Sequence, residues 1–308
     1  MIGGKRLLVT GASGDFGSAL ALALAAENEV WGLARFTDPD AAKRLTAGGV
    51  RVVVADLAAL ARGEQQVALP DVDHVLHFAV DIFGEPDFER AFRNNVEPGG
   101  FLLSHYRDVE SFLYCSTTAV YAAHPQARRE TDPLGDYMRS MLPTYSISKI
   151  SSEAVIRTCA TLFGVPVTIA RLNVPYADAT GLPAMHLQSI LAGDPVVVHP
   201  DFPDLFAPLH VDDMIRTLPA LLGAAATPPT IVNWCGDEPV GVTEWSDYFG
   251  KLLGRDVVLR RDEAGIVGMC PDASRLAELV GGPICTVGWR EGFRRMVETA
   301  AAAQGARS

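Results

Sequence analysis

LLVTGASGDFGSALALALAA, residues 7–26, is the stretch on which the fold turns. An apolar run, read as a strand, leads into Gly11, Gly14 and Gly17, and a run of helix formers follows. A glycine triplet alone is compatible with a plain turn. Between a strand and a helix it reads as a phosphate cradle. Gly11 permits the tight turn, Gly14 lets the backbone approach a pyrophosphate, and Gly17 lets helix and strand pack closely. The helix N-terminus offers free N–H groups and a positive dipole end to the phosphates.

The alternation continues outward from this stretch. RLLVT (6–10), EVWGLA (29–34), VRVVVAD (50–56), DHVLHFAV (73–80), SFLYCST (111–117) and VPVTIARL (165–172) read as strands. Helical segments are expected at 15–26, 38–48, 86–106 and 145–164, the third interrupted by EPGG. This pattern predicts an α/β fold, a doubly wound parallel Rossmann sheet with a smaller C-terminal α/β substrate region. After residue 175 the pattern is irregular. Helical pieces recur at 183–192, 211–223, 243–253 and 289–304, with short strands at 195–198, 230–234 and 256–260. The expected dinucleotide-binding domain spans 1–174, and the chain returns to it around 208–235. The substrate region then comprises 175–207 and 236–308.

Composition narrows the function. The 308 residues are 48 % hydrophobic and 20 % charged, with a formal net charge of −11. That balance suits a globular protein and argues against a binder of nucleic-acid backbone. No run approaches the roughly 18 apolar residues of a membrane span. Five scattered cysteines (Cys115, Cys159, Cys235, Cys270, Cys285) form no C-x-x-C pair. They point to a reducing, cytoplasmic compartment and to no metal site.

Tyr145 and Lys149 stand in YSISKISSE, 145–153. The i, i+4 spacing puts both on one helix face. An ammonium near a phenol favours phenolate, so the tyrosine is expected to titrate below its usual value of about 10 and to move a proton near neutral pH. His77 is expected to be a satisfied core histidine. His210 is read as a structural hydrogen-bonding residue, with Asp212 as a helix N-cap.

The glycine loop and YSISKISSE together resemble the extended short-chain dehydrogenase/reductase superfamily, its epimerase/dehydratase-like branch. DHVLHFAV, CSTTAVYAAHP (115–125), RETDP (129–133), LHVDDM (209–214) and WREGFRRMVE (289–298) fall in that family's order. The resemblance implies Tyr145 as acid/base, Lys149 as its partner and a contact of the nicotinamide ribose, and Thr117 as the hydroxyl that orients the substrate oxygen. Ser116 could share that last role. It implies a cofactor site of Gly11, Ser13, Gly14, Asp15, Phe16, Gly17, Arg35, Asp56, Leu57, Phe78, Ala79, Val80, Asn95, Ser116, Tyr145, Lys149 and Leu172. Pro98 replaces a family glycine. At the end of the second strand Ala34 takes the place of the usual acid and Arg35 follows, which favours NADP, with NAD as the alternative.

Three departures bear on substrate. Thr118 and Ala119 stand where sugar-nucleotide dehydratases carry Asp-Glu. Phe206 stands where an arginine usually contacts a sugar nucleotide's phosphates. Asn173 comes one residue earlier than the family's asparagine. A substrate site of Thr117, Thr118, Asn173, Met185 and Phe206, with Phe202 nearby, is expected to be more apolar than the family's. The expectation is an NAD(P)-dependent oxidoreductase acting at a carbinol or carbonyl carbon of a small molecule that is not a nucleotide sugar. A sugar-nucleotide epimerase with tightly bound NAD and a non-catalytic dinucleotide sensor are the alternatives. The intact Tyr/Lys/Thr set argues against the sensor. The resemblance also implies a homodimer.

Overall fold

Seven parallel strands form the central sheet of the computed structural model, which describes residues 2–82, 86–139, 141–201, 203–263 and 265–305. The chain runs β1 (Arg6–Thr10), α1 (Asp15–Ala25), β2 (Glu29–Ala34), α2 (Pro39–Ala47), β3 (Arg51–Val54), α3 (Leu57–Ala61), β4 (His74–His77), α4 (Phe88–Asn95), α5 (Glu97–His105) and β5 (Ser111–Thr117). After a 3₁₀ turn (Thr118–Val120) come α6 (Tyr145–Phe163), β6 (Val167–Leu172), β7 (Pro175–Ala177), β8 (Thr180–Gly181), α7 (Leu182–Ala192), β9 (Val196–Val198), β10 (Leu205–Phe206), β11 (Leu209–His210) and α8 (Val211–Gly223). The last elements are β12 (Thr230–Trp234), β13 (Val240–Gly241), α9 (Val242–Leu253), β14 (Leu259–Arg261), α10 (Ser274–Val280) and α11 (Trp289–Gly305).

The strand order is β12-β6-β5-β4-β1-β2-β3. The chain leaves β1 for β2 on one side and resumes with β4 on the other, so the order reverses between β1 and β4. That switch point opens a crevice at the carboxyl ends of the strands, where ligands bind in such sheets. Thr10 pairs with Leu33 on one side and His77 on the other, which fixes the register there. β4, β5 and β6 are buried along their whole length, as strands covered on both faces must be.

Side-chain chemistry sets many element ends. Asp38, Asp56 and Asp87 accept hydrogen bonds from the first free N–H groups of α2, α3 and α4. EPGG splits the helix expected over 86–106 into α4 and α5, with Pro98 in the first turn of α5, where its missing N–H costs nothing. α8 begins differently from expectation. His210, not Asp212, is its N-cap, and its Nδ1 accepts from the Asp212 N–H at 3.2 Å.

Two apolar clusters pack on the sheet, around Leu20, Leu113 and Trp234 and around Leu8, Phe112 and Ile156. A third gathers Tyr176, Phe206, Trp245, Phe249 and Phe293 from β7, β10, α9 and α11. No helix among the described residues is long and apolar enough to cross a membrane.

Candidate active site

The glycine loop closes on itself at the end of β1. Gly11 takes φ +71°, and a Cβ there would lie 2.7 Å from the backbone nitrogen of Ala79. A Cβ on Gly17 would lie 2.4 Å from the Gly11 carbonyl oxygen. Only glycine at these two positions lets the loop meet both β4's exit and α1. Beside it runs a groove lined by Gly11, Ser13, Arg35, Asp56, Leu57, Ala79 and Val80, all expected cofactor contacts, together with Ala34, Asp81 and Asn94. Arg35 is exposed at the groove while Ala34 is buried. Gly14, Asp15 and Phe16 open α1 beside it. Phe78 packs edge-on against Trp234, with ring centroids 6.0 Å apart. Asn95 is buried, accepts from the Asp81 N–H at 2.7 Å and donates to the Asp81 carbonyl at 3.0 Å. These residues suit a dinucleotide: a glycine cradle, a helix N-terminus and a groove meet at the carboxyl ends of the strands, at the switch point between β1 and β4.

Asp81 and Asn94 escaped the sequence reading. Asp81 receives Asn94 at 2.6 Å and pairs with Arg90 at 2.9 Å, fixing the groove wall. Their signal was only their nearness to Val80 and Asn95 in the chain.

Thr117 ends β5, and its Oγ1 accepts from the Ala119 N–H at 3.1 Å, which leaves the hydroxyl proton free to donate. Tyr145 begins α6. Burial pushes its phenol up to about 12, and the Thr117 hydroxyl acts in the opposite sense. Lys149 is buried, and its Nζ donates to the Cys115 carbonyl at 2.8 Å and sits 4.9 Å from the centroid of the Tyr114 ring. Burial lowers its pKa. The expected lowering of Tyr145 by Lys149 is therefore corrected: desolvation raises the phenol, and the group that opposes it is the Thr117 hydroxyl, not Lys149.

Other residues sit differently from expectation. The Ser116 hydroxyl points to the opposite face of β5 from Thr117 and donates to Glu153 at 2.6 Å, so it cannot share Thr117's role. Glu153 in turn holds Arg171 at 2.7 Å, both wholly buried. The repeat Tyr145, Lys149, Glu153 at i, i+4, i+8 was visible in the sequence, but its partner on β6 was not. Asn173 donates to the Thr118 hydroxyl at 2.7 Å and to the Met269 carbonyl at 2.9 Å, and accepts from the Ala207 N–H at 2.9 Å. Asn173 and Thr118 thus satisfy each other and tie three loops together. Phe206 is 3 % exposed and stacks on Trp245 at 5.8 Å, which makes it core rather than pocket lining. Met185 is 65 % exposed on α7, Leu172 is 9 % exposed at the end of β6, and Phe202 lies outside the described residues.

His77 is half satisfied. Its Nδ1 bonds the Thr10 hydroxyl at 2.7 Å while Nε2 is buried without a partner among the described residues. Burial, then the Lys149 charge, holds its pKa down at about 3, so the ring is neutral.

The model of the NAD dependent epimerase/dehydratase family matches residues 7–235. A curated relative, the uncharacterized UDP-glucose epimerase YtcB of Bacillus subtilis (strain 168), is 24 % identical over 282 residues, covering 82 % of this chain and 84 % of its own. The solved UDP-glucuronic acid 4-epimerase of Bacillus cereus, in complex with UDP-glucuronic acid and NAD, superposes with a TM-score of 0.76 at 21 % identity, covering 97 % of this chain and 99 % of that one. The dTDP-glucose 4,6-dehydratase DesIV of Streptomyces venezuelae, with NAD bound, gives 0.77 at 23 % identity over 97 % and 98 % of the two chains. At these identities the structures share the fold.

Proposed function

The chain belongs to the NAD dependent epimerase/dehydratase family, and from that premise we propose that it transfers hydride at a carbinol or carbonyl carbon of a substrate that lacks a nucleoside diphosphate. A bound nicotinamide dinucleotide supplies the hydride chemistry. Tyr145 gives a proton to the substrate oxygen or takes one from it. The Thr117 hydroxyl, which faces the Tyr145 phenol, hydrogen-bonds the same oxygen and orients it. Lys149 holds β5 through the Cys115 carbonyl and would contact the ribose hydroxyls of a bound dinucleotide. Residues 175–207 and 236–308 form the substrate side.

The cofactor we propose is NADP. Arg35 is exposed at the groove, and no carboxylate stands beside it at Ala34 to accept from a ribose 2′-hydroxyl. Arg35→Asp exchanges a phosphate partner for a repelling charge, so it should weaken NADPH binding far more than NADH binding. Equal losses for the two would remove the NADP assignment.

The observation that carries the substrate reading is Phe206, an apolar core residue at the position where the family's phosphate-binding arginine is expected. A diphosphate buried without cationic partners loses hydration that nothing replaces. A UDP-sugar epimerase is the second reading. It is favoured by the relatives above and by Arg261, which lines a cavity with His199, Asp204 and Thr243. The fate of the cofactor separates the two. Exchangeable dinucleotide with net turnover supports the first reading. Tightly retained dinucleotide that cycles without net change supports the second. We also propose a homodimer through the helices of 86–106 (α4 and α5) and α6, where Leu162 is 72 % exposed, to be read by light scattering.

A further inference from the structure

We propose that Tyr114 is a positioning residue for Lys149: its ring face receives the buried ammonium in place of a carboxylate, and a stack through His77 and Thr10 fixes that ring to the foot of the glycine loop. The inference rests on the reading of Lys149 as a contact of the bound dinucleotide.

Lys149 is 3 % exposed. An ammonium taken out of water loses hydration that its new surroundings must replace. One of its three N–H groups goes to the Cys115 carbonyl at 2.8 Å. The acid one turn further along α6, Glu153, is already committed to Arg171 at 2.7 Å and to the Ser116 hydroxyl at 2.6 Å. The face of the Tyr114 ring lies against the ammonium, with Nζ 4.9 Å from its centroid. At that distance the negative face of an aromatic ring attracts a cation, and exclusion of water strengthens the attraction.

The ring is itself held. Tyr114 is 1 % exposed, and His77 packs on it with ring centroids 5.6 Å apart and 37° between the planes. His77 Nδ1 bonds the Thr10 hydroxyl at 2.7 Å, and the same hydroxyl accepts from the Ala79 N–H at 3.3 Å. Thr10 is the last residue of β1 and precedes Gly11. Contacts thus run from the glycine loop across the neighbouring strands β1, β4 and β5 to Lys149 on α6. Burial keeps His77 neutral, so no second cation competes for the ring. The titratable groups around Lys149 are His77 on β4, Cys115 on β5, and Tyr145 and Glu153 on α6. Burial lowers the Lys149 pKa, and Cys115 and Glu153 oppose that.

The chain has four lysines, Lys5, Lys43, Lys149 and Lys251, so NMR of protein carrying labelled lysine Cε follows each one through a pH titration. Lys149→Met identifies the signal of interest by its loss. Tyr114→Leu removes the ring face and should lower the Lys149 midpoint by about one pH unit. Tyr114→Phe keeps the face and loses a buried hydroxyl that has no hydrogen-bond partner among the described residues, so it should titrate as wild type. Pentafluorophenylalanine at position 114 keeps the ring's shape and withdraws its negative face. It should shift the midpoint as leucine does, and it decides the matter if the leucine variant does not fold. Cys115 and Tyr145 titrate higher, at about 11 and about 12. An unmoved midpoint with both leucine and the fluorinated ring would overturn the proposal while leaving the dinucleotide reading intact. So would an equal shift in Tyr114→Phe, since the hydroxyl and not the face would then matter. Affinity for NADPH and NADH should fall in Tyr114→Leu and hold in Tyr114→Phe. Unchanged affinity in Tyr114→Leu beside a shifted midpoint would overturn the positioning role. If wild type binds neither dinucleotide, that role and the reading beneath it both fail.

Discussion

At the scale of single residues the chemistry rests on Tyr145. Its phenol is desolvated, and burial pushes it up to about 12, so it is protonated at neutral pH and ready to donate. Taking a proton from an alcohol needs the phenolate. An oxidised nicotinamide brings positive charge into the site and favours that form. The difference in alkaline absorbance titration between wild type and Tyr145→Phe isolates this group. The difference should move to lower pH when oxidised dinucleotide is added, and an unmoved curve would show that the cofactor does not tune Tyr145. Tyr145→Phe should lower turnover by roughly two to four decades with dinucleotide affinity kept. Lys149→Met should damage both, because Lys149 is assigned to β5 and to the ribose. Near-normal turnover of Tyr145→Phe would place the acid/base elsewhere.

At the scale of elements, α6 and β6 are held together by the Glu153–Arg171 pair; Ser116 ties β5 to it through Glu153, and Arg171 donates to the Glu130 carbonyl at 3.0 Å. Arg171→Met leaves Glu153 buried and unpaired and should cost about 3–5 kcal/mol in urea unfolding. Adding Glu153→Gln should recover part of that loss. A cost no larger than that of an exposed pair would contradict the burial described here. This brace also marks what was legible in the sequence. The strands and the helix bearing Tyr145 were legible because their periodicity extends over many residues, and EPGG announced the break between α4 and α5. The two-residue strands β8, β10, β11 and β13 carry no period, so they could not be foreseen. Glu153 was visible as part of a helical repeat, but only the fold brings Arg171 to it. Phe206 was misread because an apolar residue looks the same in sequence whether it lines a pocket or fills a core. The Lys149 effect on Tyr145 was misjudged because spacing gives proximity but not burial.

At the scale of the whole molecule, stability should fall on both sides of neutrality. His77 and His186 are held by burial at about 3 and about 4, below their unfolded value. Between about 6.5 and those values the unfolded chain binds the extra protons, so their stabilisation is present above about 6.5 and is lost as pH falls. Tyr145 and Tyr121 are pushed up to about 12. Their contribution is present below about 10, where the unfolded chain begins to lose protons, and is lost as pH rises toward 12. Urea midpoints that stay flat from neutral pH down to 4 would contradict this burial. The net charge of −11 acts at the same scale by repelling anionic ligands unless local cations receive them. The substrate reading depends on that balance, with Phe206 in the core. Calorimetric titration of the dinucleotide-saturated protein with UDP-glucose, UDP-glucuronic acid and dTDP-glucose tests it most directly. The account predicts no binding in the micromolar range for any of the three. Micromolar binding of one of them, abolished by Arg261→Ala, would contradict it and establish the nucleotide-sugar epimerase in its place.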